Sequence, residues 1–323
     1  MKSLKIGNIK LKNPLFLAPM VDITDLPYRL ICRKAGAAMA YTEMIYISAI
    51  LHKNTKTQNL MKTSKKDFPI GIQITGNSID EFKKVIPHLK HYDLVDINCG
   101  CPSIRITGNQ AGSYLLSHPE KISKIIKILK QADLTVTAKI RLGFKTNNVL
   151  KVSKAIEKAG ADALIVHARL AVDGRSIPAD HKYTKFLKQK ISIPIIANGD
   201  IFAPEKAAEL LDFTDGIMIA RGAIGDPLIF KRTLHYLESK RHLYTTFKQN
   251  IQYLKLYLSL IKKHKMLIDL NRIKYISSNF IKDVYGASKI RQKIMNLKSL
   301  IEIKDFINTV ESSERRMVIQ SSI

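Results

Sequence analysis

Tryptophan is absent from this chain of 323 residues, and cysteine occurs only three times. Three thiols, two of them at Cys99 and Cys101, make no disulfide framework and point to a reducing compartment. Cys99 and Cys101 resemble half of a zinc ligand set, but Cys32 is the only other thiol, so no second pair completes it and no metal is expected. No apolar run approaches the roughly 18 residues needed to span a bilayer. The N-terminal stretch Met1-Lys-Ser-Leu-Lys-Ile-Gly7 lacks the apolar core of a signal peptide. The expectation is a cytoplasmic protein, monomeric, with no membrane partner. Nor does any Gly-x-Gly-x-x-Gly occur, so no nicotinamide-binding fold is visible. Acidic residues are scarce: 27 Asp and Glu face 53 Lys and Arg, a net charge of +26. Such a field favours polyanions, nucleic acid ahead of membrane surface, although heavy use of Lys and Ile also fits a genome-wide compositional bias.

What is present is globular in character, with 46% hydrophobic residues and length enough for one large domain and a smaller one. Leu4–Leu11 alternates around Gly7-Asn8 and reads as a short leading hairpin. Apolar runs then recur at Leu15–Ala18, Ala38–Tyr41, Ile70–Ile74, Leu94–Ile97, Thr135–Ile140, Ala163–Val166, Ile193–Ala197 and Gly216–Ala220. Helical spacing fills the intervals, as at Ser78–Leu89, Pro119–Gln131, Val149–Ala159 and Pro204–Leu211. Val- and Ile-rich strands alternating with helices argue for parallel βα units. Eight such units in this length predict an α/β fold, a (β/α)8 TIM barrel, with an open doubly wound sheet as the rival.

Barrel enzymes gather their reactive groups where strands end. The fourth run stops abruptly in Asn98-Cys-Gly-Cys-Pro102, an amide, two thiols and turn residues that a plain strand-to-loop turn does not require. The other ends agree with it. The first gives Pro19-Met20-Val21, the third Gln73, the fifth Lys139 and Arg141, the sixth His167 and Arg169. The seventh gives Asn198-Gly199-Asp200 and the eighth Ala220-Arg221-Gly222. A polar or cationic group at nearly every such end predicts an enzyme.

Past residue 230 glycine nearly vanishes, and Thr246–Lys263, Leu270–Val284 and Ala287–Asn308 carry only helical spacing. The expected division is a barrel over 1–235 and a small C-terminal helical bundle domain over 236–323. Residues 231–323 hold 19 basic against 7 acidic side chains, net +12, whereas the first 230 residues hold 34 against 20, net +14. Charge per residue is thus about double in the bundle. Lys262, Lys263, His264 and Lys265 cluster there, as do Lys289, Arg291, Lys293 and Lys298, a pattern suited to a phosphate backbone or to a merely solvated helix face.

Together these motifs resemble the tRNA-dihydrouridine synthases. The resemblance is carried by Pro19-Met-Val-Asp-Ile-Thr-Asp25 with Tyr28-Arg29, Asp96-Ile-Asn-Cys-Gly-Cys-Pro102 with Gly112-Ser113, Lys139-Ile-Arg141, His167-Ala-Arg169, Asn198-Gly-Asp200 and Arg221-Gly-Ala223. It is strong to about residue 232 and weaker beyond. It implies an FMN-binding barrel, a helical tRNA-binding domain, and reduction of the C5–C6 double bond of particular uridines in tRNA with NADPH or NADH as electron source. By the same resemblance Cys101 is the proton donor to C5, a role suited to a thiol whose ordinary pKa is about 8.5. Lys139 and Gln73 lie against the flavin ring, where a cation offsets the negative charge of its reduced form. The resemblance assigns Pro19, Met20, Val21, His167, Arg169, Asn198, Gly199, Asp200, Ala220 and Arg221 to the cofactor, and Asn98 and Arg141 to the substrate. Cys99 stands where the family commonly has another residue and reads as packing. Ala220 replaces a usual glycine, the Ala171–Pro178 loop departs from the family's pattern, and Lys274-Tyr275 stands where a basic residue and His are frequent. Two other readings remain open: an FMN-dependent reductase of a small pyrimidine or enone, as in dihydroorotate dehydrogenases, and a non-catalytic tRNA-binding protein on the same fold.

Overall fold

The computed structural model describes residues 3–320 apart from 175 and 283, with side chains as far as 311. The chain opens with an antiparallel hairpin, β1 (Leu4–Ile6) and β2 (Ile9–Leu11), turned at Gly7, whose φ of +54° suits glycine. Nine short strands follow: β3 (Leu15–Leu17), β4 (Ala40–Tyr41), β5 (Ile45–Tyr46), β6 (Ile70–Thr75), β7 (Leu94–Cys99), β8 (Val136–Arg141), β9 (Ala163–His167), β10 (Ile195–Asn198) and β11 (Gly216–Ile219). They pair in parallel in the order β3-β11-β10-β9-β8-β7-β6-β4, with β5 beside β6. A bridge between Phe16 and Met39, with the Leu17 N–H donating to the Met39 carbonyl at 2.9 Å, joins β3 towards β4 and closes the ring. The eight expected runs thus form a (β/α)8 barrel, not an open sheet; β5 was not foreseen, being two residues long.

Side chains alternate across the barrel wall as the two-residue period of a strand requires. Phe16, Tyr41, Leu94, Ala163, Ile165, Ile196 and Met218 belong to one apolar cluster inside the ring, and the hairpin's Leu4, Ile6 and Leu11 join it. The hairpin therefore plugs the end where the strands begin, leaving the opposite end open. The neighbours of those residues, such as Val95, Ile97, Ala138, Ile140, Leu164 and Val166, face outward into the larger core shared with the helices. The helix Leu26–Lys34 starts well because Asp25 caps it, accepting from the Tyr28 N–H at 2.8 Å. Its fully buried Arg29 donates to Asp67 at 2.7 Å and to the carbonyls of Thr24 and Lys62.

The eighth barrel helix runs Ile229–Ser239, so the division expected at 235/236 falls inside it. Beyond lie helices Phe247–Lys263, Leu270–Asn279, Ala287–Asn296 and Leu300–Gln320. The helical spacing over Ala287–Asn308 resolves into two helices, parted at Leu297–Ser299. Ser299 and Glu302 cause the break: the Ser299 hydroxyl accepts from the Glu302 N–H at 3.1 Å, while the Glu302 carboxylate accepts from the Lys298 N–H at 2.8 Å. The bundle packs on the barrel through its first helix, which lies along Leu26–Lys34 and stacks Tyr257 edge-on to Tyr28. Among the described residues no helix is long and apolar enough to cross a membrane.

Candidate active site

Strand β7 delivers the central group. Its alternation turns Asp96 and Asn98 into the barrel and Ile97 and Cys99 outward. Cys99 is fully buried in the layer between barrel and helices, where burial pushes its thiol well up. Cys101, past the strand end, is only partly covered. The Asn98 carboxamide oxygen accepts from the N–H groups of Gly100 at 3.2 Å and Cys101 at 2.9 Å, so the asparagine shapes the turn that presents the thiol. The Cys101 carbonyl in turn accepts from the Ser113 N–H at 3.0 Å. Gly112 makes that approach possible: its φ is +61°, and a Cβ there would lie 2.8 Å from the Cys101 carbonyl oxygen.

Behind the turn runs a buried polar chain. The Asn98 amide donates to the Gln73 carboxamide oxygen at 2.9 Å, Gln73 donates to Asp96 at 2.7 Å, and the Thr137 hydroxyl donates to the other Asp96 oxygen at 2.7 Å. Asp96 thereby fixes which way both amides face, leaving one N–H of Gln73 outside the chain. Burial raises the Asp96 carboxyl to about 6, against the lowering pull of Gln73, Thr137 and Lys139. Burial, with Arg141 nearby, lowers Lys139 to about 8, opposed by the attraction of Asp96 and Cys101. Arg141 donates to the carbonyls of Gly100 at 2.9 Å and Leu170 at 2.7 Å, so it braces the Cys101 turn from the neighbouring strand.

The remaining strand ends form a second cluster. Asp200 holds Arg169 at 2.6 Å and Arg221 at 2.8 Å, and also accepts from the Ala179 N–H at 2.9 Å. Burial acts to raise this carboxyl, but that N–H and the two guanidinium groups outweigh it and hold it below the usual carboxylate range. Asp200 is thus a clasp for two arginines, its oxygens already engaged. Arg169, buried, also reaches the Ile177 carbonyl and lies 3.4 Å from His167 Nε2. Burial first, then Lys139, Arg141, Arg169 and Arg221, lowers His167 to about 2, so it is a neutral hydrogen-bonding group and carries no charge to an anion. Asn198 donates to the Met218 carbonyl at 2.8 Å, tying β10 to β11. A Cβ on Gly222 would lie 2.3 Å from the Ile201 carbonyl oxygen, so this glycine lets the two loops approach each other. Ala220, in place of the glycine usual there, stands at φ −110° and ψ −100° just before the turn Arg221–Ala223.

Lys139, Arg141, His167, Arg169, Asn198 and Arg221 share one mouth. A cavity of about 230 Å³ is lined by Pro19, Met20, Lys139, Arg141, His167 and Arg221, among others, and a notch of about 40 Å³ beside it by Gly199, Asp200, Ala220, Arg221 and Gly222. The loop bearing Pro19-Met20-Val21 is set by Thr24, whose hydroxyl accepts from the Met20 N–H at 2.9 Å. Val21 is left 55% exposed over a cleft of about 680 Å³ between this loop and Asn271, Arg272 and Tyr275 of the bundle. Two contributors went unassigned by sequence reasoning. Asp96 was quoted only within a motif, although its strand position matches that of Asn98. Glu43, past the second strand, accepts from the Asp22 N–H at 2.7 Å and from Arg272 at 2.6 Å, joining mouth to bundle. Arg272 also pairs with the buried Asp25 at 3.1 Å. Lys274 does not face this cleft's solvent: it is buried and donates to the Met295 carbonyl at 2.9 Å, while Tyr275 stands 51% exposed. In the 171–178 loop Arg175 lies outside the described residues; the loop is anchored by the Ile177 carbonyl on Arg169.

A model of the family described as dihydrouridine synthase (Dus) matches residues 16–315. The tRNA-dihydrouridine synthase B of Pasteurella multocida (strain Pm70) is 37% identical over 235 residues, 71% of this chain and 71% of that protein. That of Vibrio vulnificus (strain CMCP6) is 38% identical over 243 residues, 73% of this chain and 76% of its own. Among solved structures, histamine dehydrogenase from Rhizobium sp. 4-9 superposes with a TM-score of 0.54 at 15% identity, over 80% of this chain and 50% of that one. An old yellow enzyme homologue from Zymomonas mobilis gives 0.50 at 14% identity, covering 77% and 95%. This chain spans about half the length of the histamine dehydrogenase, and at such identities both structures bear on the barrel fold alone.

Proposed function

Since the chain belongs to the dihydrouridine synthase family, we propose that it reduces uridines in tRNA to 5,6-dihydrouridine at this barrel mouth, with FMN as resident cofactor and NADPH or NADH as electron source. The observation that carries the assignment of roles is Cys101, partly uncovered at the mouth, held by Asn98 and within electrostatic reach of Lys139 and Arg141.

The residues present suit FMN. A planar ring edged with carbonyls calls for donors: Lys139 lines the mouth, and the buried Gln73 keeps one N–H outside its bond to Asp96. A phosphate tail suits the notch beside it, where Arg221 enters and where the turn Arg221–Ala223 makes its first internal bond only at the Ala223 N–H, to Ala220. Asp200 serves by clasping Arg169 and Arg221. Reduced FMN, when bound, supplies the hydride that adds to C6 of the uracil. The chain's own share is the proton. Cys101 Sγ gives it to C5, and water afterwards restores the proton to the sulfur. Asn98 keeps that sulfur in place through the backbone of the turn, and neutral His167 adds hydrogen bonding without charge.

Target uridines lie within folded RNA, so the base must leave its stack to enter the mouth. The cleft between Val21 and Tyr275 is the approach we assign to it, with residues 1–239 as catalytic barrel and the helices beyond as the tRNA-binding part. We take the enzyme to act as a monomer in the cytoplasm. Incubating purified protein with FMN, NADPH and an unmodified tRNA transcript, then digesting the RNA for mass spectrometry, tests the reading. A gain of two mass units on a uridine supports it; NADPH oxidation with unchanged tRNA would sink it.

A further inference from the structure

A second hollow lies away from the mouth. A groove of about 720 Å³ opens at the other end of the barrel, between the end of helix Leu26–Lys34 and the end of helix Phe247–Lys263. Its rim carries Lys10, Lys12, Lys34, Lys65, Lys66 and Lys263, all exposed, and no acidic side chain lines it. Among the described residues none of these six lysines pairs with a carboxylate, and no carboxylate lies among them in the groove. The nearby Asp67 adds no field of its own, since Arg29 and Arg33 enclose it. Six like charges held around one hollow repel each other, and nothing in the fold's own hydrogen bonding explains their gathering.

A second feature narrows the ligand. Phe68 lines the same groove and is 45% exposed, an aromatic face in solvent beside the cations. Cations spaced along a groove with an aromatic platform suit a single-stranded polynucleotide, phosphates on the lysines and an unpaired base on the ring. An acidic peptide would meet the lysines but leaves the phenyl ring without a stacking partner.

We propose that this groove binds an unpaired segment of the same tRNA whose target uridine enters the mouth, at the opposite end of the barrel. Mouth and groove are linked by the bundle: Arg272 and Tyr275 line the upper cleft and Lys263 the lower groove. An RNA lying along the bundle meets both. The proposal rests on the tRNA reading above, but its test is separable because binding is measured apart from turnover.

The test compares the triple variant Lys12→Glu/Lys65→Glu/Lys66→Glu, and Phe68→Ala separately, with a control of equal charge change, Lys121→Glu/Lys124→Glu/Lys127→Glu on helix Pro119–Lys130, which covers another side of the barrel. Affinity for full-length tRNA transcript is read by fluorescence anisotropy over a salt series, and turnover both on that transcript and on the isolated hairpin carrying the target uridine. The groove variant should bind the transcript at least ~10-fold more weakly, with its salt slope reduced by about 2, as loss of three single-strand phosphate contacts implies. Phe68→Ala should weaken binding without changing the slope. Hairpin turnover and FMN content should match the unsubstituted protein. Equal weakening by the control triple would show a general field and overturn the proposal, as would unchanged transcript affinity of the groove variant, the result expected of a site for a protein partner. Equal loss on hairpin and transcript would also overturn it, by placing the groove's ligand within the target arm. A protein that binds tRNA through the groove yet reduces no uridine would refute the enzymatic reading and leave the groove standing.

Discussion

The barrel mouth and the helical bundle use charge in opposite ways. At the mouth most ionic groups are committed to one another or to backbone: Asp200 clasps Arg169 and Arg221, Arg141 holds two carbonyls, and Asp96 fixes Gln73 and Thr137. In the bundle Lys262, Lys263, Lys289, Lys293 and Lys298 stand in solvent. Commitment gives a rigid constellation whose pKa values depart from the ordinary, as chemistry on a base requires. Solvated lysines with mobile stems give a surface that follows a phosphate backbone without reading sequence. The contrast has exceptions at the junction and within the bundle, where Lys255 pairs with Glu311 at 2.6 Å. Arg272 belongs to the bundle but behaves like a mouth residue, fully engaged by Asp25 and Glu43. Lys274, a basic residue of the same helix, is a buried strut to the Met295 carbonyl.

The sharpest break of this contrast is at Cys101. Cys101→Ala should lower dihydrouridine formation by about 10²–10⁴-fold, the usual worth of a general acid, while FMN absorbance of the purified protein stays the same. Single-turnover assays on tRNA check it; near-normal turnover would remove Cys101 from the chemistry. Next comes the junction. Arg272→Met leaves Asp25 and Glu43 buried without their cation, and urea unfolding should show a loss of about 3–5 kcal/mol. A surface-like loss below about 1 kcal/mol would mean the pair behaves as an exposed bundle charge.

Two buried groups of the mouth, Asp96 and Lys139, also make a pH prediction. In the free enzyme Asp96 ionises near 6 and Lys139 gives up its proton near 8. If catalysis uses the carboxylate to orient Gln73 and the ammonium to face the cofactor, kcat/KM should rise through about 6 and fall through about 8. Asp96→Asn should abolish the acid limb and Lys139→Met the alkaline one. The linkage has a definite sign: Lys139 is depressed from 10.5 in the folded state, so its contribution to stability is full above that value and is lost as pH falls through about 8. Urea titrations of the cofactor-free protein against Lys139→Met should show the difference narrowing as pH rises from 8 towards 10. The smallest effect lies in the bundle, where Ser299→Ala should cost about 1 kcal/mol through the lost cap and leave turnover on bound tRNA unchanged.

Much of the fold was legible because strands and helices have different periods, and the alternation of βα units survives a biased composition. The break at Ser299 was not read: Ser299-Leu-Ile-Glu302 has capping spacing, but continuous apolar periodicity on either side concealed it. Glu43 was not legible: its strand has only two residues, and its partner Arg272 lies 229 positions away. Nor could local pattern separate Lys274 from its solvated neighbours, because the helix period does not say what packs on each face.

The amino-acid sequence alone determined the barrel with its appended helices, the family, and the list of groups at strand ends, since each follows from local period and residue type. Only the tertiary structure decided what those groups do to one another. Closing the ring turned Cys99 outward into the core and set Cys101 beyond it at the open end. It brought Asp96 of one strand to Gln73 and Thr137 of its neighbours, made Asp200 a clasp, and gathered six unpaired lysines around Phe68 at the far end. Side-chain direction around a barrel is fixed by strand register and shear, and charge pairing by distance in space; neither is written in the order of residues along the chain.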